Sequence, residues 1–184
     1  MRKLLPLVTL GVLLASSLAY GGTVTASDTA TLSVTVGNEA TIVVDPGSKT
    51  TTFTTSTAFT DYTATTNYHF QVRTTQGTGS GYISLAVTTD FSPAGGPSAY
   101  APVNGDTLKV TASTASAGSA VVPANQVNAT AQNIVTFGAN AHGGLPGAVG
   151  TNGATGQVSW NLTNDPAYQT GTYTATATFT ISAT

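Results

Sequence analysis

The chain has no cysteine and few charged side chains, and both shortages limit what it can do. Its 184 residues include 5 lysines and arginines, 7 acidic residues and 2 histidines. Without cysteine it can form neither disulfides nor thiolate metal sites, so the fold must rest on its core and its backbone hydrogen bonds. The few cations cannot form the basic stripe that binds phosphate backbones, and we therefore expect no nucleic-acid partner.

The first 19 residues have the pattern of a secretory signal peptide. Arg2 and Lys3 provide the positive start, Leu4–Ala15 is an apolar run, and small residues precede a cleavage point after Ala19. An uncleaved anchor is the alternative, but the run is shorter than the roughly 18–20 residues of a spanning helix. We expect a mature domain, residues 20–184, that has no membrane span and is secreted, at the cell surface or in the periplasm.

Threonine dominates the composition, with 37 copies, and it suits the half-exposed surface of a β-sheet. Apolar residues alternate with polar ones along most of the chain, and no segment has the period of a helix. In residues 67–73, for example, Tyr68, Phe70 and Val72 share one face. The pattern predicts an all-β fold, a single antiparallel β-sandwich with Greek-key connections of the Ig-like or pilin-like kind. A small closed barrel is the alternative.

About eight to ten short strands are predicted, separated by turn residues. They cover residues 29–36, 40–45, 67–73, 82–89, 107–112, 119–122, 127–131, 134–137, 157–164 and 173–183. Gln76–Gly81 and Asp165–Gly171 are interpreted as hairpin turns, so the terminal strand is expected to pair with Val158–Leu162. Two long segments rich in glycine, 90–105 and 138–156, are predicted to be loops.

The terminal strand has one hydroxyl face and one apolar face that is graded in size. Phe179 and Ile181 are large, whereas Ala175 and Ala177 are small. The small residues indicate a place where another strand or side chain comes close. The hydroxyl face excludes a strand that is buried on both sides.

Residues suited to catalysis are scarce and dispersed. His69 and His142 lack partners at metal-ligand spacing, and the aspartates stand at strand ends, where they favour turns. Asp90 and Asp106 bracket one long loop, so a calcium site at this loop is the alternative to a chain without a metal site. We expect no catalytic residue, no cofactor, no metal and no enzyme activity. A secreted hydrolase would require carboxylates or histidines that converge in a cleft.

Aromatic residues in the loops are the candidates for ligand contact. Phe91 and Tyr100 lie in the first long loop, where such rings can stack on sugars or can instead pin the loop to the core. Trp160, the only tryptophan, alternates with apolar residues and is predicted to lie in the core.

Both ends of the chain resemble secreted bacterial β-sandwiches. Val158–Ala183 resembles the closing strands of WxL-type surface domains, spore-coat-U-type proteins and pilin-like fibre subunits, and Trp160-Asn161-Leu162 is a W-x-L triplet. Phe179-Thr180-Ile181 replaces the second triplet of WxL domains. Thr29–Asp45 is similar to the opening of coat-U-type domains but lacks their cysteines. The resemblance implies an extracellular or surface β-sandwich that assembles or binds cell walls, and it implies no active site.

These observations lead us to expect a non-enzymatic structural protein of the cell surface or of an extracellular fibre. Leu32, Val34 and Val36 form the expected assembly strand, which would add to a sheet edge of another subunit or of another surface protein. The alternative is an adhesin or a carbohydrate-binding module, with cell-wall or host glycans as ligands of the loops around Phe91 and Tyr100.

Overall fold

The computed structural model describes residues 27–100, 108–114, 117–120 and 129–184. The predicted signal peptide, Asp106, and residues 121–122 and 127–128 of two predicted strands lie outside the described residues, and the described residues 129–131 form no strand. The chain divides into two compact units, Met1–Thr35 and Val36–Thr184. The described part of the first unit contains no strand and is solvent-exposed.

Within the described ranges the second unit forms nine strands, because β-branched and aromatic residues at a period of two favour a pleated backbone. The strands are β1 Glu39–Val44, β2 Tyr62–Arg73, β3 Gly81–Ser92, β4 Leu108–Thr114, β5 Ser119–Ala120, β6 Gln132–Phe137, β7 His142–Gly143, β8 Ala154–Leu162 and β9 Thr174–Ala183. Two short helical turns accompany them, a 3-10 turn at Pro46–Ser48 and the single-turn helix α1, Val149–Asn152.

The strands form two antiparallel sheets. Sheet A has the order β1-β2-β8-β4, with the short β7 also paired with β2, and sheet B has the order β5-β6-β3-β9. Buried side chains from both sheets form one cluster, so the sheets pack face to face. The predicted all-β sandwich is therefore confirmed. The strands form two separate sheets and not the single closed sheet that the barrel alternative requires. The Greek-key connections stay a prediction.

Large aromatic side chains join the two sheets. Tyr68 and Phe70 of β2 contact Phe179 and Phe137 of sheet B, with ring centroids 5.4 and 5.6 Å apart. The inward positions that a period of two predicts are buried: Tyr68, Phe70, Val72, Ile83, Leu85, Val87, Leu108, Val110, Val158, Trp160 and Leu162. Burying a side chain of this size contributes about 1.5–3 kcal/mol, so this cluster is the main source of stability.

Both predicted hairpins are wrong, because each of these turns joins one sheet to the other. Gln76–Gly81 connects β2 of sheet A with β3 of sheet B, and Asp165–Gly171 connects β8 of sheet A with β9 of sheet B. Since β8 lies between β2 and β4, both of its edges are occupied, and β9 pairs with β3 instead. The terminal strand therefore forms an edge of sheet B and does not pair with Val158–Leu162.

The predicted strand 29–36 is absent from the described structure. β1 pairs with β2, so no hairpin forms at Gly37-Asn38. The Gly37 carbonyl instead accepts a hydrogen bond from Arg73 Nε at 2.6 Å, and the Asn38 amide donates to the Ala183 carbonyl at 2.9 Å. Gly37 and Asn38 thus lie against two strands of the sandwich. Local sequence patterns do not reveal these contacts.

The predicted loops are shorter than expected. The segment 138–156 contains β7, α1 and the start of β8, and residues 90–92 belong to β3. Because these segments are rich in glycine, the sequence does not reveal the short strands in them, whose pairing partners lie far away in the sequence. A period of two needs several residues to become visible, and β7 has only two.

Gly156 of β8 lies directly opposite Tyr68 of β2, and the tyrosine ring covers the glycine. A Cβ at position 156 would clash with this ring, which is fully buried and contacts Phe179. Because Gly156 has no side chain, the Tyr68 ring can occupy this position in the core.

Gly156→Ala should lower the free energy of unfolding by about 1–3 kcal/mol, because the added methyl displaces a ring in a packed core. Gly138→Ala is the matched control, since a Cβ at Gly138 has no neighbour within 4 Å. Urea unfolding followed by Trp160 fluorescence measures both variants. Equal stability of the two would show that the position of the ring does not depend on Gly156.

The Tyr68 hydroxyl is buried and has no hydrogen-bond partner in the described part of the chain. Burial raises the pKa of Tyr68 from 10.0 to about 12, because the phenolate would lose its hydration inside the sandwich. The unfolded chain ionises at the lower pKa, so the folded state loses stability as the pH rises from about 10 to about 12.

Alkali should therefore destabilise the unsubstituted protein more than it destabilises Tyr68→Phe. We expect an additional loss of about 2–3 kcal/mol in the free energy of unfolding by pH ~12. At neutral pH the two proteins should differ by less than about 1 kcal/mol, because the hydroxyl makes no bond. Urea midpoints measured across this pH range test the prediction, and parallel pH profiles would contradict it.

Candidate functional site

An apolar groove opens between the two sheets, where the edge strand β1 of sheet A faces the edge strand β9 of sheet B. Its volume is about 760 Å³. The walls come from β1, the segment 48–53 and the first half of β9, and the core residues Val87, Leu108 and Trp160 form the floor. The remaining apolar lining residues are Ile42, Val43, Val44, Phe53, Phe91, Tyr173, Ala175, Ala177 and Phe179. We call this site the β1–β9 groove.

The groove exists because β9 carries small residues where a strand that closes a core carries large ones. Phe179 and Ile181 pack against the core and are half-buried, whereas Ala175 and Ala177 are exposed. The sheets are therefore joined near one end of β9 and leave a gap near the other. The small size of the two alanines predicts that another strand approaches them, and this stays a prediction.

The outer edge of β9 has no strand partner among the described residues. Its sequence, TATATFTISA, has neither charge nor proline, the features that commonly protect an edge strand from pairing. The irregularities in the β3–β9 ladder place the additional residues in β3, so β9 itself is unbroken. Apart from the Ala183 carbonyl, which accepts from Asn38, its outward backbone groups are available to a further strand.

The structure separates the two residues that were predicted to contact a ligand. Phe91 is half-buried in the groove, where its ring meets that of Phe53 edge to face, with centroids 6.4 Å apart. Tyr100 is 39% exposed and does not line the groove. Phe91 thus pins its segment to the sandwich, and Tyr100 remains at the surface of the loop.

Asp90 holds the loop that carries Tyr100. Its Oδ1 accepts hydrogen bonds from the backbone N–H groups of Phe91 and Ala99, at 2.8 and 2.7 Å, and its Oδ2 accepts from the Ser98 hydroxyl at 2.6 Å. These donors use both carboxylate oxygens. The position of Asp90 at a loop end is therefore explained by the loop itself, as is usual for aspartate in turns.

One histidine and one carboxylate come together in a way that the sequence did not predict. The Nδ1 of His69 lies 2.5 Å from Asp45 Oδ1, and the side chains are only 21% and 27% exposed. The cause is the β1–β2 register, which sets Val43 opposite His69, so that Asp45, two residues further on and on the same face, lies diagonally across from His69. The pair links the end of β1 to β2.

The pocket around this pair contains one carboxylate among the residues that the structure describes, whereas glycosidases use two. It measures about 460 Å³, and its other polar side chains are neutral: Asn67, Ser113, Thr155 and Gln157. In the described ranges no three His, Asp or Glu residues are grouped to hold a metal. His142 lies elsewhere, exposed, with Nδ1 2.9 Å from the Asn140 carbonyl.

A chain of hydrogen bonds supports one wall and the floor of the groove. Trp160 Nε1 donates to Thr66 Oγ1 at 2.9 Å, and the hydroxyls of Thr66 and Thr51 are 2.8 Å apart. The Thr51 hydroxyl in turn donates to the Ser48 carbonyl at 3.0 Å. Since Thr66 is buried, these bonds satisfy polar groups that water does not reach, and they tie the segment 48–51 to the core.

The predicted assembly residues are exposed. Leu32, Val34 and Val36 expose 93%, 85% and 61% of their surface, and they belong to no strand of the described structure. Three large apolar side chains in a row on one alternating segment are costly to leave in water. This is the strongest sign in the described chain of a segment that lacks its partner.

No protein-family model, no curated protein and no solved structure matches this chain. Among the residues that the structure describes, no helix is long and apolar enough to cross a membrane. The geometry of the β1–β9 groove and its edges is therefore the basis for a functional proposal.

Thr66→Val should lower the free energy of unfolding by about 1–3 kcal/mol, because the buried indole N–H of Trp160 loses its acceptor. Thr65→Val is the control, since the neighbouring Thr65 side chain is exposed on the outer face of sheet A. Urea unfolding measures both, and near-ultraviolet circular dichroism reports the packing of the single tryptophan. A Thr66→Val protein as stable as the control would show that the bond contributes nothing.

Proposed function

We propose that this protein is a secreted, non-enzymatic structural protein of the cell surface or of an extracellular fibre, and that its subunits associate by strand addition at the β1–β9 groove. The observation that carries the proposal is an apolar groove beside an unprotected edge strand. An added strand would pair with the outer edge of β9 and cover apolar side chains that solvent now reaches.

Two kinds of interaction would stabilise such a contact. Half-buried groove residues such as Ile42, Phe53 and Phe91 would lose their remaining contact with water, which contributes about 25 cal/mol per Å² of apolar surface. Alternate residues of β9 would also gain backbone hydrogen bonds along an edge that is long for a strand. Main-chain hydrogen bonds contribute affinity, and the burial of alternate side chains in the groove selects which strand is added.

The outer surfaces also suit close packing of many subunits. The side of β9 that faces away from the core carries a hydroxyl at every position: Thr174, Thr176, Thr178, Thr180 and Ser182. A surface with so little charge allows like subunits to approach without repulsion. The signal-peptide pattern and the resemblance to surface β-sandwiches support an extracellular setting.

A carbohydrate-binding adhesin is the alternative, and the exposure of Tyr100 favours it. Asp90 holds the loop of this residue by three hydrogen bonds, so the ring is presented in a set position, which suits stacking on a sugar. Pull-down with insoluble cell walls and a glycan array test it. Retention that Tyr100→Ala abolishes would support this function, and no retention, or equal retention of both proteins, would reject it.

The mature protein should form oligomers whose size increases with concentration. Ala175→Lys should weaken this association roughly tenfold or more, because an ammonium group would have to be buried in the groove. Thr180→Lys adds the same charge on the exposed hydroxyl face and serves as the control. Size-exclusion chromatography at several concentrations and electron microscopy measure both. A protein that stays monomeric up to high micromolar concentration and forms no fibres would refute the proposed function.

A further inference from the structure

We propose that the strand added at the β1–β9 groove is residues 31–36 of a second copy of this chain, with Val34 seated beside Ala175 and Ala177. This inference rests on the proposed function, and it adds the identity of the occupant and the polarity of the assembly.

The segment has the pattern that an inserted strand needs. Leu32, Val34 and Val36 alternate with Ser33 and Thr35, so an extended backbone presents all three apolar side chains on one side. With that side in the groove, Ser33 and Thr35 continue the hydroxyl surface of the neighbouring β9. A shift of one residue would bury hydroxyls and expose the apolar side chains, so the alternation also selects the register.

Size and length match as well. The two alanines of β9 leave space where Leu and Val side chains bring volume, so large residues face small ones as in a packed core. Six extended residues span about 20 Å, which fits along the roughly 34 Å of the ten-residue strand β9. The exposed segment and the open groove thus compensate each other.

The charges are compatible too. Among the described residues that line the groove Lys49 is the only charged one, and residues 29–38 contain no charged side chain. Within 31–36 every residue is uncharged. The inserted segment would therefore bring no charged group into the groove, where burying one would cost several kcal/mol.

The contact has a direction, because the inserted segment and the groove are different surfaces of the chain. Each copy supplies one of each, so the contact is heterologous and continues from copy to copy unless a ring closes. The expected assembly is a linear fibre with an open groove at one end and an unpaired segment at the other.

Cysteine cross-linking tests the pairing directly, since the chain has no cysteine of its own. Full-length mature protein carrying Val34→Cys is mixed with protein of a different mass carrying Ala175→Cys, under mild oxidation. We expect mixed covalent dimers. A mixture of Ser33→Cys with Ala175→Cys is the matched control and should give roughly fivefold fewer mixed dimers or less, because Ser33 points to the opposite side.

The outcomes separate this inference from the proposed function. Oligomers that form without Val34–Ala175 cross-links, or with equal cross-linking of Ser33, would overturn the inference and leave edge-strand assembly in place. Protein that neither associates nor cross-links would overturn both. A single chain that carries both cysteines and closes on itself would show that the segment fills its own groove, which also overturns the inference.

A peptide competition avoids any dependence on the folding of variants. A synthetic peptide of residues 28–38 should reduce the formation of mixed cross-linked dimers. The same peptide with Val34→Asp should require a concentration at least roughly tenfold higher for an equal reduction, because its carboxylate would enter an apolar site. Equal competition by the two peptides would contradict insertion of Val34 into the groove.

Discussion

The contact between aromatic rings of the two sheets is the constraint on which the rest of the structure depends. Tyr68 and Phe70 of sheet A meet Phe179 and Phe137 of sheet B, and Gly156 leaves the space that the Tyr68 ring occupies. A chain without disulfides must hold its sheets together through side-chain packing of this kind. Beyond these rings β9 carries the small residues Ala175 and Ala177, and the sandwich opens into the β1–β9 groove.

This opening leaves a small, weakly charged protein with a packed core at one end of β9 and an apolar groove at the other. The large residues of β9 are used for the core and the small ones for the groove, so one strand serves both purposes. Its hydroxyl face keeps the protein compatible with water, while its uncharged edge leaves the backbone open to pairing.

Most of the prominent polar contacts in the described structure hold backbone segments in place. Asp90 orders the loop before Tyr100, and Thr66 and Thr51 connect Trp160 to one wall of the groove. The Asp45–His69 pair links the end of β1 to β2. The Trp160–Thr66 bond joins residues that are distant in the sequence, and together with the Thr66–Thr51 contact it holds one wall of the groove.

The sequence by itself determined the class of the fold and the direction of most side chains. Alternation is a local property, and Tyr68, Phe70, Ile83, Val158 and Trp160 are buried as it predicts. It also marked Ala175 and Ala177 as unusually small. Only the tertiary structure decided which strands pair, because pairing depends on which sheet edges remain open once other strands are in place. In the structure, β9 therefore pairs with β3 and not with β8, neither predicted hairpin forms, and Asp45 lies close to His69. The groove, which needs both sheets to exist, was visible in no single segment.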